Sequence, residues 1–169
     1  MLARLADGTR VVIREIRPAD KRMLARGHEL LSEESRHRRF LGAKPRLSAA
    51  ELRYLTEVDG ERHFALVAVL ADRLDRIVGV ARFVRLPGNQ GEEADAAIVV
   101  GDPWQGLGLG KRLALGLADA ARTRGVRRFS ATMLSDNPAA LALMRTLSAR
   151  LESGAHDHGV RSVTGDLAA

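Results

Sequence analysis

A single α/β (α+β) domain covering residues 1–169 is the fold that this sequence predicts, on three observations. Runs with a two-residue apolar period and runs with a helical period are interleaved along the chain rather than segregated into halves. An apolar run at 94–100 passes through three alternating glycines, Gly106, Gly108 and Gly110, into an amphipathic stretch. No repeat, low-complexity segment or linker interrupts this order, and 46% apolar with 28% charged side chains suffices for one hydrophobic core.

Residues 2–5 and 9–16 read as a hairpin turning on Asp7-Gly8, a strong two-residue turn signal. Pro18 suits the first turn of a helix running to about Leu31. Ser32 and Ser48 read as N-caps of two further helices, and Ser48 with Glu51 spells a capping box before Leu52 and Leu55. Residues 63–71 and 76–86 read as strands joined by the polar turn 72–75, and after the loop Pro87-Gly88-Asn89 comes a strand at 93–100. From Leu107 to about Thr123, Leu109, Leu113, Leu117, Ala120 and Ala121 hold a helical period, and Gly125 stands where a C-terminal cap belongs. A strand at 129–134, a helix at 137–147 and a terminal hairpin at 150–167, turning near 157–159, complete the order.

Composition excludes several classes of function. With no cysteine there is no disulfide, no Cys-ligated zinc and no thiol nucleophile. The longest apolar runs, 64–71 and 94–100, are too short to span a bilayer, and Arg4, Asp7 and Arg10 break any signal-peptide stretch. A cytoplasmic protein that does not engage membranes is expected. The net charge of +6 raises nucleic acid as a partner, but the basic residues cluster only at Arg36, Arg38 and Arg39 and at Arg122, Arg124, Arg127 and Arg128. With 4% aromatics there is no stacking platform, so nucleic acid is not expected as the primary ligand, and the excess charge suits a small anion instead. His156-Asp157-His158 falls at the predicted hairpin tip and reads as turn chemistry, and no metal is expected.

The glycine stretch is an anion site built from backbone. Three missing side chains clear space for a phosphate, and the free N–H groups and positive dipole end of the following helix point at it. Walker A spacing is not met, because Gly106 and Gly110 enclose three residues and Arg112, not Ser or Thr, follows Lys111. The dinucleotide fingerprint G-x-G-x-x-G fails too, since the third glycine comes one residue early and the motif lies beyond the middle of the chain. The string Gln105-Gly106-Leu107-Gly108-Leu109-Gly110 instead resembles the Q/R-x-x-G-x-G/A signature of the GNAT N-acetyltransferases.

The order of elements is similar to that family along nearly the whole chain. The resemblance implies a mixed central sheet, splayed at the cofactor-binding strands and flanked by helices. It implies acetyl-CoA as cofactor, its pyrophosphate at the glycine loop and its pantetheine arm between the strands at 93–100 and 129–134. The cofactor residues so implied are Ile98, Val99, Val100, Gln105, Gly106, Leu107, Gly108, Leu109, Gly110, Lys111 and Asn137. Trp104 reads as a packing anchor beside this loop. At finer grain, Leu31-Ser32-Glu33-Glu34-Ser35-Arg36 with Arg39-Phe40, then Leu55-Thr56-Glu57-Val58-Asp59, look like the catalytic domain of actinobacterial Pat-type protein-lysine acetyltransferases. A cyclic-nucleotide module of the kind that family carries would need a much longer chain, so any such regulation is expected from another chain or not at all.

Acetyl transfer to an amine needs the amine neutral, and a free lysine has a pKa of ~10.4, so a base is required. Strand alternation puts Glu93, Asp95, Ala97 and Val99 on one face. Pat-like strands read Ala-Glu-x-Ala-x-Val-Val, and here Ala94-Asp95-Ala96-Ala97-Ile98-Val99-Val100 places Asp95 where the family has its presumed glutamate base. The shorter Asp95 is expected to act through a water, with Glu93 in reserve. Such acidic residues would favour cationic acceptors. The family's N-x-x-A-x-x-L-Y is matched from Asn137 to Leu143, but Met144 stands in the place of the tyrosine acid. CoA is then expected to leave as a thiolate, with a thiol pKa of ~8.5, or to be protonated by water. The leading expectation is direct transfer from acetyl-CoA to an amine, foremost a protein lysine, by a monomer or homodimer. A non-catalytic acyl-CoA-binding sensor or a small-molecule amine acetyltransferase are the alternatives.

Overall fold

The alternating runs become eight strands of one sheet in a computed structural model that describes residues 1–168. They are β1 (Leu2–Arg4), β2 (Arg10–Glu15), β3 (His63–Leu70), β4 (Ile77–Arg85), β5 (Glu93–Val100), β6 (Arg128–Leu134), β7 (Leu151–Asp157) and β8 (Val160–Asp166). Five α-helices separate them: α1 (Lys21–Glu29), α2 (Glu33–Phe40), α3 (Ala49–Thr56), α4 (Leu109–Thr123) and α5 (Pro138–Leu147). The sheet order is β1-β2-β3-β4-β5-β6-β8-β7, and every neighbouring pair is antiparallel except β5 with β6. The sheet is therefore mixed, as expected.

That parallel pair decides the shape of the site. Its register runs only through Glu93↔Arg128, Ala94↔Phe129 and Asp95↔Ser130. Beyond Asp95, β5 stays bonded to β4 as far as Val100↔Gly79, while β6 stays bonded to β8 as far as Leu134↔Val160. The two strands part like the arms of a V, which is the splay expected between them.

Each face of the sheet is covered because each strand carries an apolar alternate set. On one face Phe64, Leu66, Ala81, Phe83 and Ala94 pack against Leu109, Leu113, Leu117 and Ala121, which recur at helical spacing along α4. Phe83 is fully buried between Phe64 (centroids 5.6 Å apart) and Phe129 (6.0 Å). On the other face Ala65, Val67, Val69, Ile77 and Val80 pack with Ile16 and Leu24 beneath α1 and α3. No helix among the described residues is long and apolar enough to cross a membrane.

Local signals hold at most boundaries. Ser48 and Glu51 form the reciprocal capping box, with Ser48 N–H donating to Oε2 at 2.8 Å and Glu51 N–H to the Ser48 hydroxyl at 3.2 Å. Ser32 caps α2 by accepting from Ser35 N–H at 3.1 Å. The first hairpin differs from expectation. Leu5 N–H donates to Thr9 at 2.8 Å and Gly8 N–H to Leu5 at 3.0 Å, a three-residue loop in which Gly8 takes φ 89°. The first helix also opens later, after a 3-10 turn at Pro18–Asp20, because the buried Asp20 carboxylate binds Arg17 N–H at 2.8 Å and the Arg14 guanidinium at 2.7 and 2.8 Å.

Candidate active site

Where β5 and β6 part, a cleft of about 510 Å³ opens, walled by Ala96–Val100 of β5 and Ala131–Met133 of β6 and closed at one end by the glycine loop. Ile98, Val99, Val100, Gln105, Gly106, Gly108, Gly110, Lys111 and Asn137 all line it. Leu107 and Leu109 do not. Leu109 is fully buried in the core under the sheet, and Leu107 packs against the same core while its carbonyl accepts from Ala6 N–H at 3.2 Å. Alternation along the loop thus sends glycines to the cleft and leucines to the interior, so any contribution of the leucines to a ligand is through backbone.

Gly106 (φ 72°) and Gly108 (φ 87°) are left-handed, and a Cβ on either would meet nothing within 4 Å. Their absent side chains are demanded by backbone conformation as much as by space for a ligand. Gly108 directly precedes α4, so the first N–H groups of that helix open onto the cleft. Asn137 caps α5, its Oδ1 accepting from Ala140 N–H at 3.1 Å, and remains part of the cleft wall. Met144 also lines the wall and is buried there. Trp104 packs against the core with the Arg76 guanidinium 5.1 Å above its ring, a packing anchor as read from sequence.

The two candidate bases diverge in position although they share a strand face. Asp95 stands on the last β5–β6 pair, at the vertex of the V. Burial pushes its carboxyl up from the ordinary value, and the positive charge of Arg39 on α2 opposes that rise. Glu93 lies at the bonded end of the β5–β6 seam, where its charge acts on Arg128, a guanidinium also paired with Glu152 (2.8 Å) and Asp166 (3.1 Å). Neither carboxylate lines the cleft, whose β5 wall begins at Ala96: Asp95 stands one residue before it, and Glu93 lies beside that ionic cluster.

Sequence reading missed the buried Arg82 and its contacts on this face. Arg82, opposite Ala97 in the register, is only 6% exposed. It donates to His63 Nε2 at 2.9 Å and to the Leu55 carbonyl at 3.3 and 3.4 Å. Burial, with Arg39 adding to it and Tyr54 opposing, pushes Arg82 down to about 9. Burial and then Arg82 push His63 down to about 4, so its ring is neutral near pH 7. Arg39 lines both the main cleft and a small cavity of about 60 Å³ beneath α1 and α3 that Arg82 also borders. Arg38 and Arg39 thus bring guanidinium charge to the cleft wall, with Arg82 behind it. Arg82 was detectable as a charge inside an otherwise apolar strand. Arg39 was visible only as one of a basic cluster.

Comparison with known proteins agrees with this geometry. The model of the Acetyltransferase (GNAT) family matches residues 27–148. Acetyltransferase Pat of Mycolicibacterium smegmatis is 36% identical over 137 residues, which is 81% of this chain and 40% of that protein, so the chain spans well under half the length of that relative. Acetyltransferase PA5475 of Pseudomonas aeruginosa is 34% identical over 148 residues, 87% of this chain and 76% of that one. Among solved structures, the GNAT domain of S. lividans PAT superposes with a TM-score of 0.87 at 29% identity, over 99% of this chain and 96% of that one. On these matches the chain belongs to the GNAT family of acetyltransferases.

Proposed function

We propose that this protein transfers acetyl from acetyl-CoA directly to an amine, with a protein lysine as the acceptor and the cytoplasm as its location. The observation that carries this reading is the three-pair seam of β5 and β6, which opens into the cleft with Asp95 at its vertex. An acyl-pantetheine arm lying in the V would meet the unpaired edges of both strands, at Ile98, Val99 and Val100 and at Ala131–Met133. The pyrophosphate would lie against the backbone of residues 105–111 and the start of α4, with the Lys111 ammonium beside it. Asn137 is held by its own helix cap, ready to accept or donate at the arm.

Catalysis then follows from the vertex. Asp95, directly or through a water, takes a proton from the acceptor ammonium, and the free amine adds to the thioester carbonyl. Collapse of the tetrahedral adduct breaks the C–S bond and releases CoA as a thiolate, and the second ammonium proton, still on the adduct nitrogen, passes through water to that thiolate. The burial-raised pKa of Asp95 makes it a better base than an exposed aspartate. Met144, buried in the cleft wall, cannot protonate sulfur, and that observation favours a second reading, an acyl-CoA-binding sensor without turnover.

One assay separates the two. Thiol release from acetyl-CoA is followed with a panel of lysine-containing proteins and small amines, with acetylation read by mass and Asp95→Ala as the control. Acceptor-dependent release that the control abolishes supports the enzyme. CoA binding without release on any acceptor supports the sensor.

A further inference from the structure

The segment Asp102-Pro103-Trp104-Gln105 between β5 and the glycine loop is tied to a helix 70 positions away by a set of hydrogen bonds that substrate chemistry does not require. The Asp102 carboxylate accepts from Ser32 N–H (3.0 Å), from the Ser32 hydroxyl (2.6 Å) and from the Ser35 hydroxyl (2.8 Å). Gln105, at the head of the loop, donates from Nε2 to the same Ser35 hydroxyl (3.1 Å) and to the Val100 carbonyl (3.0 Å). Ser32 is the N-cap of α2, so one carboxylate fixes both the start of that helix and its favourable dipole end. A cap needs only one side-chain acceptor, which the Ser32 hydroxyl already supplies to Ser35 N–H. The remaining bonds set where the helix lies, not whether it forms.

What α2 carries makes its placement matter. Six and seven residues from its cap it presents Arg38 and Arg39 to the cleft, and it packs on β5. Arg39 is the charge that reaches Asp95, while no ion pair within 4.0 Å joins them among the described residues. Such a through-space effect depends steeply on where the helix sits. The other charged or titratable groups on this face include Arg38 of α2, Glu93 of β5, His28 of α1, which shares the small cavity with Arg39 and Arg82, and Arg82 of β4 with His63 of β3 and Tyr54 of α3 grouped around it.

We propose that Asp102 is a positioning residue: through Ser32 and Ser35 it fixes α2, and with it Arg39, against β5, the strand of Asp95, joining the cofactor loop to the acceptor side of the cleft. The inference rests on the acetyltransferase reading for its kinetic consequence but not for its structural one. Asp102 itself does not line the cleft, so its loss acts on the acceptor side while leaving the phosphate-binding backbone in place.

Two measurements on the full chain test it. The first follows the Asp95 carboxyl by ¹³C NMR across pH in the unmodified protein, Arg39→Gln, Asp102→Ala and the double variant. Removing the positive charge raises the Asp95 midpoint in Arg39→Gln. Asp102→Ala raises it in the same direction, and the double variant titrates no higher than Arg39→Gln alone. The second measures acetyl-CoA affinity and turnover of a lysine peptide. Asp102→Ala should keep acetyl-CoA affinity within about threefold while kcat/KM for the peptide falls roughly tenfold to a hundredfold. Should Asp102→Ala not fold, Ser35→Ala removes one Asp102 bond and the Gln105 bond and shifts both readouts the same way by less. An Asp95 titration in Asp102→Ala identical to the unmodified protein overturns the inference, as does an Arg39→Gln titration that does not move. Full activity in Asp95→Ala would instead sink the catalytic reading and leave the NMR result to judge the positioning.

Discussion

The two walls of the cleft are made in opposite ways. On the side of α4 and α5 the surface is glycine backbone, a helix start and aliphatic side chains, drawn from the near-continuous stretch 96–111 and from residues around 137–147. On the side of α1, α2 and α3 Arg38 and Arg39 line it, and behind Arg39 stand Arg82, His63 and Asp95, so that Arg39, Arg82, His63 and Asp95 come from four separate elements. A phosphate arm common to every turnover can be read by local backbone, which needs only a short run of correct residues. A wall that tunes one carboxylate must be assembled from distant positions, because charge placement, not backbone shape, decides its chemistry.

The largest effect that sharpens this contrast lies at the vertex. Asp95→Ala should lower kcat by about 10²-fold to 10⁴-fold and leave CoA affinity within about twofold. Steady-state kinetics beside calorimetric CoA titration gives both numbers, and a tandem loss of affinity would mean that the walls are not separable. Gly108→Val acts on the other wall. A β-branched residue at φ 87° costs about 1–3 kcal/mol of strain and should weaken CoA binding more than tenfold. Normal CoA affinity in a folded Gly108→Val protein would remove the loop from the site.

Acid should unbalance the charged wall first. The folded pKa of His63 is depressed to about 4, whereas the unfolded residue titrates at ~6.5, so the unfolded chain binds the extra proton. Stability is then complete above pH ~6.5 and falls as pH drops toward 4, by roughly 2–3 kcal/mol from this group. Denaturant titrations of the unmodified protein and His63→Gln across that window check it, the variant giving the flatter curve. The smallest effect belongs to the rim: Lys21 and Glu57 pair at 2.6 Å, both partly exposed, and Glu57→Gln should leave the denaturation midpoint nearly unchanged.

The same contrast explains what the sequence made legible. Strand and helix placement followed from periodicity and from caps whose partners are three residues away, as at Ser48 and Glu51. The first turn was misjudged because Asp7-Gly8 serves two hairpin geometries, and the observed one adds a residue so that Gly8 alone is left-handed. Among the loop residues the glycines reach the cleft and the leucines do not, a distinction that depends on which side of the turn faces the sheet. Glu93 and Asp95 share a face by alternation, but only the register with β6 separates the closed end of the seam from its vertex. The Arg82–His63 contact joins strands that pair His63 with Val84 rather than with Arg82, so no local spacing announces it.

The short seam also divides the sheet mechanically. Five strands lie on one side of it and three on the other, with three residue pairs between them. Beyond the seam, each inner strand keeps one edge without a strand partner, so amides there exchange with solvent through small openings rather than through global unfolding. A ligand seated in the V serves as the missing strand for both edges at once. Hydrogen exchange should therefore slow along residues 96–100 and 131–133 when acetyl-CoA binds, while β1 and β7, at the outer edges, keep their unliganded rates.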